Sequence, residues 1–198
     1  MSACHIGSLW LECIASFEQV GSGLNTYGYW QKFFNPDSVA VIGASDTPAS
    51  WGAGITRHLL GSAARKVYPI NPAVSAVLGV TAYRSVLDVP GPIDLAVIAV
   101  RASQVPAVFR ECVQKEIKAA VIISAGFAEV GERGRKLEDE LVNIARQGGI
   151  RFIGPNSMGH ASTSSHLSTL AWAEEITPGP VSLISQSGYY GEQVLSLI

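Results

Sequence analysis

From Ser38 onward the chain repeats one pattern: a short apolar, β-branched run, a loop of small residues, then a helical stripe. The runs are 38–42, 66–70, 94–100, 119–124, 151–153 and 181–185. They lack the polar alternation of a half-exposed sheet, so they suit strands covered on both faces, as in a parallel sheet. Between them, Val105, Val108, Phe109, Cys112 and Val113 recur at i, i+3, i+4, i+7 and i+8, with Ser103 placed to cap the helix they imply. Leu137, Leu141, Ile144 and Ala145 form a second stripe, stopped by Gly148 and Gly149, and Gly52 to Leu60 a shorter third. Strands alternating with helices predict an α/β fold, a doubly wound parallel sheet entered by right-handed crossovers.

Composition narrows the function classes. Only 15% of the 198 residues are charged, against roughly 25% in an ordinary soluble domain. The formal net charge is −2, so nothing advertises a nucleic-acid partner. A small phosphorylated ligand stays open, because backbone N–H groups hold phosphate without net positive charge. No run approaches the roughly 18 apolar residues of a membrane helix. No Lys or Arg precedes Lys32 and Glu12 interrupts the apolar start, which argues against export and for a cytoplasmic setting. Cys4, Cys13 and Cys112 form no CxxC and no metal-ligand spacing, in keeping with a reducing compartment, and Cys112 falls on a core-facing stripe.

The pattern divides the chain into an irregular arm over 1–32, an α/β domain over 33–156, a Ser/Thr-rich linker over 157–179 and the start of a second domain over 180–198. In the arm, Trp10, Leu11, Ile14 and Phe17 can share one face of a short helix. In the last segment Ser187 and Gly188 open a helix carrying Val194, Leu195 and Ile198. One strand and one helix bury no core of their own, so the second domain reads as cut off. His5 in the arm, His58 in a helix, and His160 and His166 in the linker lack a carboxylate partner by spacing. They read as surface or linker residues, and Glu129, Glu132, Glu138 and Glu140 as a solvated loop and helix face.

Ligands of a doubly wound sheet bind beyond the carboxyl ends of its strands. Four loops meet that condition: 43–51, 71–73, 100–103 and 124–127. The first lies between strand and helix, where Gly43 permits a tight turn and Ala44 and Ser45 permit close backbone approach. It does not read G-x-G-x-x-G, and the second strand ends at Asn71–Pro72 with no carboxylate before Asp88 for a ribose, which disfavours NAD. No G-x-x-x-x-G-K-[ST] is present. Ser185 and Ser187 do not form a G-x-S-x-G elbow, which argues against a hydrolase.

Five segments in order, FFNPDSVAVIGAS (33–45), VYPINP (67–72), IISAGFAE (122–129), IGPN (153–156) and ISQSG (184–188), resemble the CoA-binding half of NDP-forming acyl-CoA synthetases, relatives of the succinyl-CoA ligase alpha chain. The resemblance covers residues 33–198 and implies a Rossmann-like CoA-binding domain followed by the start of a flavodoxin-like ligase domain. It implies coenzyme A as ligand. CoA phosphates fall to Gly43, Ala44, Ser45, Ser50, Trp51 and Gly52, and the nucleotide and pantetheine to Asn71, Pro72, Ser124, Ala125 and Gly126. Ser185, Ser187 and Gly188 match a turn that stabilises a phosphohistidine. The resemblance also implies an ATP-grasp domain or beta subunit as partner, with ATP/ADP and Mg confined to that portion, and no catalytic residue in this chain.

Two departures stand out. Family members commonly carry Lys after the Asn-Pro, where this chain has Ala73, leaving Arg65 or Lys66 to compensate. The phosphohistidine segment of the family lies beyond residue 198. The leading expectation is the CoA-binding portion of an NDP-forming acid–CoA ligase, inactive by itself. The alternatives are a non-enzymatic CoA-binding regulatory module and the regulatory part of a protein lysine acetyltransferase.

Overall fold

The computed structural model describes residues 26–62, 64–172 and 176–195. Cys4, Cys13, His5 and the 10–17 helical face lie outside them. The chain runs α1 (Thr26–Phe34), β1 (Ser38–Ile42), α2 (Trp51–Leu60), β2 (Lys66–Ile70), the short pair β3 (Ala76–Val77) and β4 (Val80–Thr81), β5 (Leu95–Ile98), α3 (Val105–Gln114), β6 (Ala119–Ile122), α4 (Glu132–Gly148), β7 (Arg151–Ile153), the hairpin β8 (Ala161–Ser162) and β9 (Leu167–Ser168), and α5 (Gly188–Leu195). Five strands form one parallel sheet in the order β2-β1-β5-β6-β7.

The continuous apolar runs behave as expected: β1, β5 and β6 are buried at every position. Successive residues feed opposite faces. Ala40, Ile42, Ala96, Ile98, Ala120 and Ile122 pack with Phe109 and Cys112 of α3 and Leu141 and Ala145 of α4. Val39, Val41, Leu95, Val97 and Val121 pack with Phe33 of α1, Ile55 and Leu59 of α2, and Leu167 and Ala171 beyond β8.

Several expectations change. The arm is helical from Thr26, and α1 is tied to the sheet by Lys32, which pairs with Asp94 at the start of β5. The same carboxylate accepts from the Asp37 N–H at 2.8 Å. The 157–179 segment is not a bare linker, for Leu167 and Ala171 are buried against α2 and Thr169 is buried on bonds to His160. A Cβ on Gly54 would stand 2.2 Å from the Ala171 carbonyl oxygen, so glycine is what lets the two come together.

His160 is no free linker residue. Its Nε2 donates to the Phe33 carbonyl at 2.7 Å, and His58 Nδ1 lies 2.7 Å from the Leu170 carbonyl. Ser103 does not cap α3: it lies inside a 3₁₀ turn over Ala102–Gln104, and Gln104 stands at the N-cap without a side-chain bond. Pro106 in the first turn removes one N–H that a cap would have served. Residues 181–185 form no strand and are exposed throughout, because no strand among the described residues pairs with them.

Candidate functional site at the carboxyl edge of the sheet

The chain builds outward from β1 to β2, then crosses back to β5, so the topological switch point lies between β1 and β5. Gly43 ends β1 at φ +91°, and a Cβ there would stand 2.4 Å from the Ala99 carbonyl oxygen and 3.1 Å from Val100 Cγ1 at the end of β5. A Cβ on Gly52, in the first turn of α2, would stand 1.9 Å from the Gly43 carbonyl oxygen. Two glycines therefore press the β1 turn, the start of α2 and the end of β5 together. Any side chain at either position would force them apart.

The rest of the loop is held by its own polar groups. Ser45 Oγ accepts from the Thr47 N–H at 2.9 Å. Ser50 caps α2, its Oγ accepting from the Ala53 N–H at 3.2 Å and donating to the Thr47 carbonyl at 2.9 Å. The amides of Trp51 and Gly52 lie in the first turn of α2, where an N–H has no intrahelical partner and the helix dipole favours an anion. The Trp51 ring itself meets Trp172 edge to face, with centroids 4.2 Å apart. What Trp51 offers the edge is thus its backbone.

Asn71, at the end of β2, spends both ends of its amide on backbone. Its Nδ2 donates to the Ala44 carbonyl at 2.8 Å, and its Oδ1 accepts from the Ala73 N–H at 2.9 Å. It clamps the β1 loop to the β2 end, with Pro72 exposed beside it. On the other side of β5, Ser124 Oγ donates to the Val100 carbonyl at 2.6 Å, which joins the β6 loop to the β5 loop. Ala125 is exposed, and Gly126 adopts φ +108°. Ser124 also accepts, through its carbonyl, the Asn156 N–H at 2.9 Å.

The third group of expected residues sits further along the same edge. Ser187 caps α5, its Oγ accepting from the Tyr190 N–H at 3.3 Å, and Ser185 Oγ donates to the Ser187 carbonyl at 2.8 Å. A Cβ on Gly188 would stand 2.0 Å from Met158 Cγ, which places this turn against the segment after β7.

Charge at the edge differs from expectation. Arg65 and Lys66 precede or open β2, at the amino end of the sheet, and Arg65 instead donates to the Ser165 carbonyl. The length of β2 separates them from Asn71, so they do not replace a lysine at position 73. Two exposed arginines flank the β1 loop at the carboxyl edge. Arg101 follows Val100 beyond β5, and Arg84 follows Tyr83, which bridges Ile70 in parallel. Periodicity gave no sign of either. Among the described residues, no group of three His, Cys, Asp or Glu side chains is placed to hold a metal, and no helix is long and apolar enough to cross a membrane.

The CoA binding domain family matches residues 37–163, most of the chain and all five strands of the sheet. The chain belongs to this family. It is 43% identical over 166 residues to the alpha subunit of an ADP-forming acetate–CoA ligase of Pyrococcus furiosus, an alignment covering 81% of the chain and 36% of that subunit. It is also 43% identical over 156 residues to an ADP-forming 4-hydroxybutyrate–CoA ligase of Nitrosopumilus maritimus, covering 78% of the chain and 22% of that enzyme. Among solved structures, an acetyl-coenzyme A synthetase of Ca. Korarchaeum cryptofilum superposes with a TM-score of 0.80 at 39% identity, over 84% of this chain and 36% of that one. The chain is thus homologous to the CoA-binding, alpha-subunit portion of NDP-forming acyl-CoA synthetases and spans about a third or less of these relatives.

Proposed function

We propose that this chain binds coenzyme A along the carboxyl edge of its sheet, as the CoA-binding portion of an NDP-forming acid–CoA ligase. The observation that carries the reading is the Gly43–Gly52 interlock. It brings backbone at the end of β1 and the first amides of α2 together at the switch point, and a phosphate needs that approach. Gly43, Ala44, Ser45, Ser50, Trp51 and Gly52 hold the phosphates through backbone and small side chains. Asn71 and Pro72 shape the nucleotide end, and Ser124, Ala125 and Gly126 flank the pantetheine. Arg84 and Arg101 supply the positive charge that Ala73 lacks.

In the complete enzyme the acid is joined to CoA through an acyl phosphate and a phosphohistidine. Ser185, Ser187 and Gly188 serve the phosphohistidine as amide donors at the start of α5. An ATP-grasp domain or beta subunit supplies the nucleotide and Mg chemistry. Calorimetry with CoA and dephospho-CoA tests the reading. CoA binds, and dephospho-CoA binds more weakly because it offers the arginines one phosphate fewer. Absence of heat with both ligands on folded protein refutes it.

A further inference from the structure

The β6 loop differs from the β1 loop in that an anion already sits on its amides. Glu129 Oε1 accepts from the Gly126 N–H at 2.6 Å, and its Oε2 from the Phe127 N–H at 3.1 Å. Glu138, reaching back from α4, accepts from the Ala128 N–H at 3.0 Å. Three consecutive amides therefore end on the chain's own carboxylates. Convergent backbone N–H groups of this kind are ordinarily a receptor for phosphate. Burial pushes the Glu129 carboxyl up, but donation from Gly126, Glu129 itself and Phe127 outweighs it and holds the group below its usual range.

The carboxylate also fixes where the loop points. Gly126 packs against the β5 loop so closely that a Cβ would stand 3.1 Å from Ala102 Cβ. Ser124, two residues earlier, is bonded to Val100. With its far end held by Glu129 and its near end by Ser124, the loop presents exposed Ala125 between two fixed points.

We propose that Glu129 is a positioning residue of the CoA site. Its carboxylate fills the amides a phosphate would otherwise take, so the β6 loop receives an uncharged stretch of the ligand while the phosphates are left to the β1 loop. This rests on the CoA reading above.

The test is calorimetry with CoA on the wild-type chain, Glu129→Ala and Glu129→Gln, in chloride and in acetate at equal ionic strength, with amide hydrogen exchange at Gly126 and Phe127. Loss of a bond to a charged group predicts about tenfold or more weaker CoA binding by Glu129→Ala. Faster exchange at both amides accompanies it, and acetate, which can occupy the vacated N–H pair, restores part of the affinity. Glu129→Gln keeps one acceptor oxygen and falls between; it carries the test alone if the alanine variant does not fold. CoA affinity in the variants within about twofold of wild type, or a loss that acetate leaves untouched, overturns the proposal. Failure of the wild-type chain to bind CoA overturns the underlying reading instead.

Discussion

Asn71 illustrates how much of the site is backbone held by side chains. Removing its amide in Asn71→Ala strands the Ala44 carbonyl and the Ala73 N–H, at a cost of about 1 kcal/mol each where they are shielded from water. We expect a lower denaturation midpoint and CoA binding weaker by about a factor of ten. Asn71→Asp, which loses the donor and sets a carboxylate against the Ala44 oxygen, should be worse. Denaturant titration and calorimetry on the three proteins check the order. Gly43→Val is more severe: at φ +91° a branched side chain is strained whatever the space, and its first carbon meets Ala99 backbone. CoA affinity should fall in folded Gly43→Val protein. Unchanged affinity would place the phosphates elsewhere.

At the scale of elements, the apolar stripes announced β1, β5, β6, α3 and α4, since their periods are local; the strands are buried throughout and the helices along one face. The 26–34 helix and the 161–168 hairpin were not announced, because polar bonds over long chain separations hold them as much as a stripe does. His160 joins the two, its Nε2 donating to Phe33 across 127 residues and its backbone N–H to Thr169 Oγ1 at 2.8 Å. Burial lowers the His160 pKa from its ordinary 6.5, although the bond to Phe33 works the other way. The neutral ring is thus favoured in the folded state. Its contribution is present above about pH 6.5 and is lost as pH falls below that value toward the depressed folded pKa. Thermal midpoints measured between pH 7.5 and 5 should drop more for the wild type than for His160→Gln, which cannot acquire the charge; equal slopes would contradict the assignment.

For the molecule as a whole, the five-stranded sheet carries one edge on which the β1, β2, β5 and β6 loops meet, and α5 opens against the segment after β7. The ligases it aligns with are more than twice its length, so the prediction at this scale is that binding and turnover separate. These 198 residues expressed alone should bind CoA yet form no acyl-CoA from acetate, ATP and CoA in a coupled assay. Turnover would show a catalytic group inside them.

The alternation of strand and helix, the glycines at the ends of β1 and α4, and the loops between them depend on neighbours a few residues away, so the sequence by itself determined the fold class and which loops gather at the carboxyl edge of the sheet. Which side chains finish that edge is decided by contacts through space. Asn71 reaches Ala44 across 27 residues, and His58 reaches Leu170 across 112. Arg65 falls at the amino end of the sheet and Arg101 at the carboxyl end only once strand direction is known. Even Glu129, three residues from Gly126, reads as a solvated acid until the loop turns its amides onto it. Periodicity records which face a residue takes; the partner it meets is set by how the layers close on one another.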